Sequence, residues 1–437
     1  MSSVSHPIDR IEVTFDEPNL LANAGLLLVG TLVVRLELEK LVNTLVALAG
    51  RVGGARPGRK VLTLVHAMVA GASHIDHAEV LRSGGTQRVL PHRVMAPSTL
   101  GTFLRAFSFG HVRQLEAVVG EVLRRAWALG AGPGSGRLVI DVDSTICEVE
   151  GRHKQGAAFG YTKVLGYHPI LASRADTGEI LHARMRKGSA NTARGARRFL
   201  DEVVARVRRA GASGEIVVRV DSGFWSKDTI ATFARLNLRF TMAVRTNTKG
   251  VAEAIAAIDE KAWRPIDYTP DGEAQVAEYT YKGRRLIVRR TRLTGRRQAQ
   301  LWPDWRHFGF LTDLGGDAVD VDAFHRRHAV VELDIRDLKE GGGLDHVPSG
   351  NFWANSAWLQ CAVLAHNLIR WTATLGQQTP TTQRIVARTV RAQLIDMPGR
   401  LVNHSGVPIL RGPLNWPWRG WFQRRLAALR ALQPVPV

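Results

Sequence analysis

The sequence predicts an α/β fold, a mixed sheet flanked by helices, with a helical region before it and a strand-rich interruption within it. Three observations predict this. Apolar residues recur at helical spacing through residues 1–130. Strand periodicity begins directly after the glycine-rich stretch Gly130-Ala131-Gly132-Pro133-Gly134-Ser135-Gly136. From there, three strands with tight turns give way to alternating helix and strand.

Taken in order, residues 20–34 form an apolar run containing Asn23. A bilayer span needs about 20 apolar residues, so this run reads as a buried helix. Asp9, Glu12, Asp16 and Glu17 precede it, which is unlike a signal peptide. Residues 61–81 and 111–129 are helical by spacing, the second with Leu115, Val118, Val119, Val122 and Leu123 on one face. Pro97-Ser98-Thr99 opens a short helix with a serine cap, carrying Leu100, Phe103, Leu104 and Phe107. These short helices, followed by a longer one with Arg113, Arg124 and Arg125, fit either a helix-turn-helix reader of DNA or a structural bundle.

Strands are expected at 138–143, 167–173 and 179–185, the last two joined by a turn at Ala175-Asp176-Thr177-Gly178. Then come helix 191–209, strand 215–220, helix 226–236 and strand 238–244. This order matches the ribonuclease-H-like topology, a mixed sheet with helices on its faces. Residues 250–312 interrupt it with polar strands at 277–281 and 286–291. Helix returns at 320–339, and an apolar helix spans 353–375, whose Asn355, Gln360, His366, Asn367 and Arg370 mark it as a core helix.

Composition narrows the function. With 59 Lys+Arg against 39 Asp+Glu and a net charge of +20, a phosphate polymer is the natural partner. At 437 residues and 45% apolar content the chain suits two or three packed domains of about 150 residues each. Two cysteines, Cys147 and Cys361, make neither a disulfide framework nor a thiolate zinc site. A reducing cytoplasm and no membrane are expected, with association to the nucleoid.

Three stretches carry the chemistry. Ile140-Asp141-Val142-Asp143-Ser144-Thr145 and Val220-Asp221-Ser222-Gly223-Phe224-Trp225 each put a carboxylate at the end of an apolar strand. Glu332 lies on a helix with Lys339 seven residues on, nearly two turns, and with His325 and His328 on the turns before it. Magnesium or manganese takes such hard oxygen ligands. Two ions about 3.5–4 Å apart activate the attacking oxygen and stabilise the leaving one in an in-line displacement. Asp143, Asp221 and Glu332 are therefore the expected metal ligands, and Lys339 a phosphate contact. Taken singly, either Asp also fits a turn cap and Glu332 a solvated helix residue. Between 282 and 297, Lys282, Arg284, Arg285, Arg289, Arg290, Arg292, Arg296 and Arg297 stand with no acid among them. On strands they would make a surface that tracks phosphates, or else a charged edge that blocks aggregation.

Together with Tyr167-His168-Pro169 and Arg219-Val220-Asp221-Ser222-Gly223-Phe224-Trp225, these motifs resemble the DDE transposases of bacterial insertion sequences, the family numbered thirteen-eighty in particular. The resemblance covers about residues 60–430. It implies a ribonuclease-H-like core at 137–249 and 313–376, a β-rich insertion at 250–312, a helical DNA-end-binding region at 1–130 and a helical, basic C-terminal segment at 377–437. It implies catalysis by Asp143, Asp221 and Glu332 with two Mg2+ or Mn2+ ions, with Asp141 as an alternative to Asp143. Terminal inverted repeats would be bound, cut and joined to target DNA by a homodimer in a synaptic complex. Related hairpin-forming enzymes carry a Tyr, an Arg and a Lys where this chain has His325, His328 and Lys339, so only Lys339 matches. They also stack a Trp on a flipped base, for which Trp302 and Trp305 are the candidates.

Two other readings compete. Asp141-Val142-Asp143-Ser144-Thr145 also fits the Asp-x-Asp-x-Thr signature of haloacid-dehalogenase-type phosphatases, with Asp141 as nucleophile and Asp143 as acid/base. That motif should open a parallel doubly wound domain, and it leaves the basic segment unexplained. A domesticated protein that binds DNA without cutting it is the third reading.

Overall fold

The computed structural model describes residues 8–160, 162–268, 270, 272–293, 305–377 and 384–435. One nine-stranded sheet organises them. Its strands in chain order are β1 (Leu138–Ser144), β2 (Ile170–Arg174), β3 (Ile180–Arg184), β4 (Ile216–Val220), β5 (Arg239–Val244), β6 (Arg264–Ile266), β7 (Gly272–Tyr281), β8 (Arg284–Leu293) and β9 (Arg306–Thr312). Across the sheet they lie in the order β3-β2-β1-β4-β5-β9-β8-β7-β6. β1, β4 and β5 are parallel, while β2 and β3 fold back antiparallel beside β1. This is the ribonuclease-H-like arrangement that the alternation of periods predicts, with helical crossovers joining the parallel strands.

The strands after β5 do not form a separate sheet. β9 pairs antiparallel with β5, and β8, β7 and β6 follow in turn. β7 and β8 are longer than the sequence pattern indicates, because Lys282 (φ +50°) and Gly283 (φ +70°) make a tight two-residue turn that registers the whole hairpin.

The helices are α1 (Leu26–Arg35), α2 (Leu38–Leu45), α3 (Pro57–Val69), α4 (Pro97–Arg105), α5 (Phe109–Ala126), α6 (Ala196–Arg209), α7 (Lys227–Arg235), α8 (Lys249–Ala256), α9 (Ala318–Arg326), α10 (Val331–Arg336), α11 (Phe352–Thr374), α12 (Ala387–Val390) and α13 (Arg419–Ala431). Several differ from their sequence expectations for local reasons. Residues 20–34 begin as a two-residue strand, Leu20–Leu21, before α1. The run at 61–81 breaks at Gly71, whose φ of +100° leaves the helical region, and resumes as a 3-10 turn, Asp76–Arg82. α4 starts on Pro97 with Ala96 at the cap position and no side-chain cap bond, so Ser98 is not its cap. The C-terminal segment is not all helical: Gly399–His404 and Val407–Arg411 form a hairpin, to which Leu20–Leu21 adds a third strand.

α11 lies at the centre, buried along almost its whole length and packed against α1, α3, α4, α5 and β3. The short helices of residues 1–130 thus belong to a bundle around it. One apolar cluster runs from Leu21 to Leu429 and includes residues of this bundle, of the sheet and of α13. No helix among the described residues is long and apolar enough to cross a membrane.

The polar residues of α11 have a structural purpose. β3 is an edge strand, and its outward backbone groups would be stranded in the core without partners. Asn367 accepts from the Ile180 N–H (2.9 Å) and donates to the Ile180 carbonyl (2.9 Å). Gln360 donates to the Ala183 carbonyl (3.0 Å), and His366 bonds the Gly178 carbonyl (2.9 Å). Replacing Asn367 with Leu, close in size, should leave two buried backbone groups unpaired and cost about 2–5 kcal/mol in urea unfolding. A loss under about 1 kcal/mol would mean that Asn367 does not satisfy this edge.

Candidate active site

β1 and β4 run parallel in a register that sets Asp141 opposite Arg219 and Val142 opposite Val220. Side chains alternate along a strand, so Asp143 shares a face with Asp141, and Asp221 with Arg219. The next step along both strands therefore brings Asp143 and Asp221 to neighbouring positions at the sheet's C-terminal rim. That register is pinned by a buried ion pair. Arg219 reaches Asp141 through Nε (2.7 Å to Oδ1) and Nη2 (2.7 Å to Oδ2), and neither residue is more than 3% exposed. The third guanidinium nitrogen, Nη1, donates to the Phe324 carbonyl at the end of α9 (2.8 Å). His328, in the 3-10 turn Arg327–Val330, donates from Nδ1 to Asp141 Oδ1 (2.8 Å).

Four residues beyond His328, α10 carries Glu332 into solvent. Glu332, Asp143, Arg336, Lys339 and Asp345 line one open cleft of about 400 Å3. The helix expected over 320–339 is segmented: α9, a 3-10 turn, α10 and a wider turn at Asp337–Gly341 that holds Lys339. Lys339 Nζ donates to the Ile146 carbonyl just past β1 (2.7 Å), which ties this helix to the strand of Asp143 and leaves two ammonium hydrogens.

Asp143 accepts from the Ser144 N–H (2.6 Å) and Asp221 from the Gly223 N–H (3.1 Å). Asp221 thus does cap a turn, the 3-10 helix Ser222–Phe224, with Oδ1 as the acceptor. Glycine is required at 223 because a Cβ there would stand 2.9 Å from Thr192. Burial pushes Asp143 up from the ordinary 3.8 to about 6; the Ser144 N–H opposes the rise, and the charges of Asp221 and Glu332 add to it. Burial raises Asp221 as well, against the charge of His328. Asp143 and Asp221 thus stand in a partly dehydrated place, and the charge of the exposed Glu332 acts on Asp143. The three carboxylates offer only hard oxygen donors, which suits a divalent magnesium- or manganese-like ion.

Asp141 stands apart from them. Both of its oxygens are consumed by Arg219, so Asp143 is the first acid of the cluster and Asp141 a support beneath it. The phosphatase reading fails for the same reason, since its nucleophile would be this buried, paired carboxylate. β1 is also flanked by antiparallel β2 rather than opening a doubly wound parallel sheet.

The imidazoles are not placed as free phosphate contacts. His325 bonds Thr241 Oγ1 through Nδ1 (2.7 Å) and stacks on Phe310 (4.1 Å between centroids). Burial, with the nearby charges of His328, Arg219 and Arg289, holds it well below 6.5 and uncharged. The Nδ1 of His328 is committed to Asp141.

The basic strand is mostly neutralised. Arg285 pairs with Glu278. Arg289 pairs with Asp322 (2.9 Å) and Arg290 with Glu260 (2.7 Å), both guanidinium residues being under 10% exposed. Arg292 pairs with Glu273 (2.7 Å). These acids lie on facing elements, so a window free of acids in sequence is not free of them in space. Arg284 is partly exposed at the hairpin turn. Trp305 packs on the cations of Arg290 (4.5 Å) and Arg292 (4.7 Å), while Trp302, Arg296 and Arg297 lie outside the described residues.

The sequence reading passed over two exposed cations. Arg336 follows Glu332 by four residues and lines the cleft, a spacing visible in the sequence. Arg245 follows β5 directly, and its charge acts on Asp221. A different cluster, Glu116, His182 and Glu202, brings its donor atoms within 4.8 Å of one another, closer than the three carboxylates come. It is an ion-pair network rather than a metal centre, because Arg113 and Arg184 bridge Glu116 and Glu202 and Arg198 joins them.

With this geometry in view, residues 5–434 match the family model described as transposase DDE domain group 1. No curated protein matches the chain. Among solved structures, the chain is similar to the one described as a cryo-EM structure of the piggyBac transposase synaptic complex with hairpin DNA, at 12% identity over 95% of this chain and 86% of that one. The TM-score between the two is 0.46.

The raised Asp143 has a measurable consequence. An unfolded Asp ionises near pH 4. With metal removed, the folded state therefore loses stability as pH rises from about 4 through about 6, and the full deficit is present by pH 7.5. Asp143→Asn should accordingly stabilise the metal-free protein by roughly 1–3 kcal/mol at pH 7.5 and change little at pH 4. Equal effects at both pH values, in chelator-treated thermal melts, would mean that this carboxyl is not strained.

Proposed function

We propose that this chain, which belongs to the family of transposase DDE domains of group 1, cuts and joins DNA with Asp143, Asp221 and Glu332 as its catalytic carboxylates. The observation that carries the reading is the parallel register that brings Asp143 beside Asp221, together with the cleft that Asp143 shares with Glu332. These three residues would hold the divalent ions, Mg2+ or Mn2+, two in number. When bound, such ions activate the attacking oxygen and stabilise the leaving one.

The chain's own residues supply the rest. Asp141, Arg219 and His328 fix the two strands and the Glu332 segment against one another. Arg336, Lys339 and Arg245 supply positive charge around the acids, where scissile and neighbouring phosphates would sit. Terminal inverted repeats and target DNA are the substrates of this reading, and a homodimer is the form that brings two ends together. Residues 137–249 and 313–376 hold the carboxylates, 250–312 widen their sheet, and 1–130 and 377–437 flank it, with 1–130 assigned to end binding.

Magnesium, a duplex carrying the element's ends and the purified protein test the reading, with a small phosphomonoester as control substrate. Cleavage of the duplex alone is expected; hydrolysis of the ester alone would overturn it. Asp143→Ala, Asp221→Ala and Glu332→Ala should each abolish cleavage and keep duplex binding. Retained cleavage in any one of them would remove that residue from the set.

Charge variants separate the two kinds of arginine. Arg245→Ala with Arg336→Ala should flatten the slope of log affinity against log salt by up to about 0.9 per lost phosphate contact. Arg290→Met should leave the slope alone and lower the unfolding midpoint, because it removes the buried guanidinium that packs against Trp263 and Trp305, while the exposed Glu260 stays solvated. An inverted result would return phosphate binding to β8.

A further inference from the structure

The first described residues make an arm with almost no contact to the rest of the chain. Residues 8–18 lead up to the strand Leu20–Leu21, with Ile8 86%, Ile11 61%, Val13 71% and Phe15 100% exposed. Ile11, Val13 and Phe15 alternate with Glu12, Thr14 and Asp16, so an extended arm has one apolar and one polar face. It is also acidic: Asp9, Glu12, Asp16 and Glu17 outnumber Arg10 on a chain of net charge +20. Four large apolar side chains in water are a surface without a partner.

Elsewhere the fold leaves a groove of matching character. α1, α13 and the hairpin of Gly399–His404 with Val407–Arg411 enclose about 700 Å3, lined by Leu27, Val34, Ile409, Trp416, Phe422 and Leu426. Arg88, Arg419 and Arg430 stand around it. The floor would take the apolar face of the arm and the cations its acids.

We propose that this groove receives the arm of a second copy of this chain, the two copies exchanging arms reciprocally. The arm's root is fastened within its own chain, where the groove-lining Arg88 also donates to the Asn19 side chain (2.6 Å). The Asn19 carbonyl accepts from the Leu401 N–H (2.9 Å) and Glu17 pairs with Arg400 (2.9 Å), which fixes the arm's exit on the side of Gly399–His404 away from Val407–Arg411. Reciprocal exchange also closes a two-fold assembly with no arm left over. Side chains carry the contact rather than strand addition, because Pro408 removes an N–H from the edge strand Val407–Arg411. Two short arms bury modest area, so the association should depend on concentration.

The proposal does not rest on the cleavage chemistry, and it is tested without DNA or metal. Sedimentation of the full chain over a concentration series should show its mass doubling, whereas Val13→Asp with Phe15→Asp should stay at single-chain mass throughout. Both positions are exposed in the single chain, so the thermal melt of this variant at the lowest concentration should match the parent's. A second variant locates the contact. Phe15→Cys with Ile409→Cys should form a disulfide-linked dimer on mild oxidation; the native Cys147 and Cys361 are buried and give no background. A parent that stays monomeric, a charged-arm variant that associates like the parent, or a disulfide found only within single chains would each overturn the proposal.

Discussion

The buried pair of Asp141 and Arg219 is the constraint on which the rest depends. An isolated charge at either position would be expensive, and the pair is tolerated because every polar atom finds a partner: both carboxylate oxygens, the Phe324 carbonyl and the His328 imidazole. The result is a joint among β1, β4 and the segment that leads to α10. A one-residue slip of β1 against β4 would turn Asp143 to the other face and break the pair, so the ion pair penalises the register errors that would scatter the acidic cluster. Its worth lies in specifying an arrangement more than in net stability, since well-packed apolar residues often do as well energetically.

The same economy governs the excess of positive charge. Many arginines here are internal fasteners that bind the carbonyls left open at helix ends. Arg391 reaches the Met68 and Val69 carbonyls at the end of α3 (3.1 and 2.8 Å), Arg425 the carbonyls of Thr372 and Leu375 at the end of α11, and Arg125 the Leu36 carbonyl after α1 (2.9 Å). Burial draws Arg206 and Arg425 down to about 10, still charged at neutral pH. A net charge of +20 is therefore a poor count of cations free to meet phosphate, and the few exposed ones near the cleft matter more than the sum.

What was legible in the sequence follows from this. Periodicity located the strands of the core and the buried helix α11, because those signals are local. The strand-end carboxylates were legible too, since a polar residue closing an apolar strand is visible without a partner. Pairing was not. Nothing in the run from Lys282 to Arg292 announces Glu260, Glu273 and Asp322 opposite it, nor that its strands would dock on β5 through β9. Asp141 and Asp143 looked interchangeable for the same reason, until Arg219 claimed one of them. The hairpin near the C-terminus was missed because its residues are largely exposed and show no clean alternation.

The two ends of the great sheet are unlike. At β3 the backbone is sealed by side chains from the central helix, so no further strand fits there. At β5 the sheet continues outward by simple antiparallel hairpins, away from the acids. Chain length between β5 and α9 can therefore grow or shrink by whole hairpins while the spacing among Asp143, Asp221 and Glu332 in the folded protein stays fixed. Such a sheet is a ratchet for divergence: one margin is closed to change, and the other admits new surface without disturbing the three carboxylates.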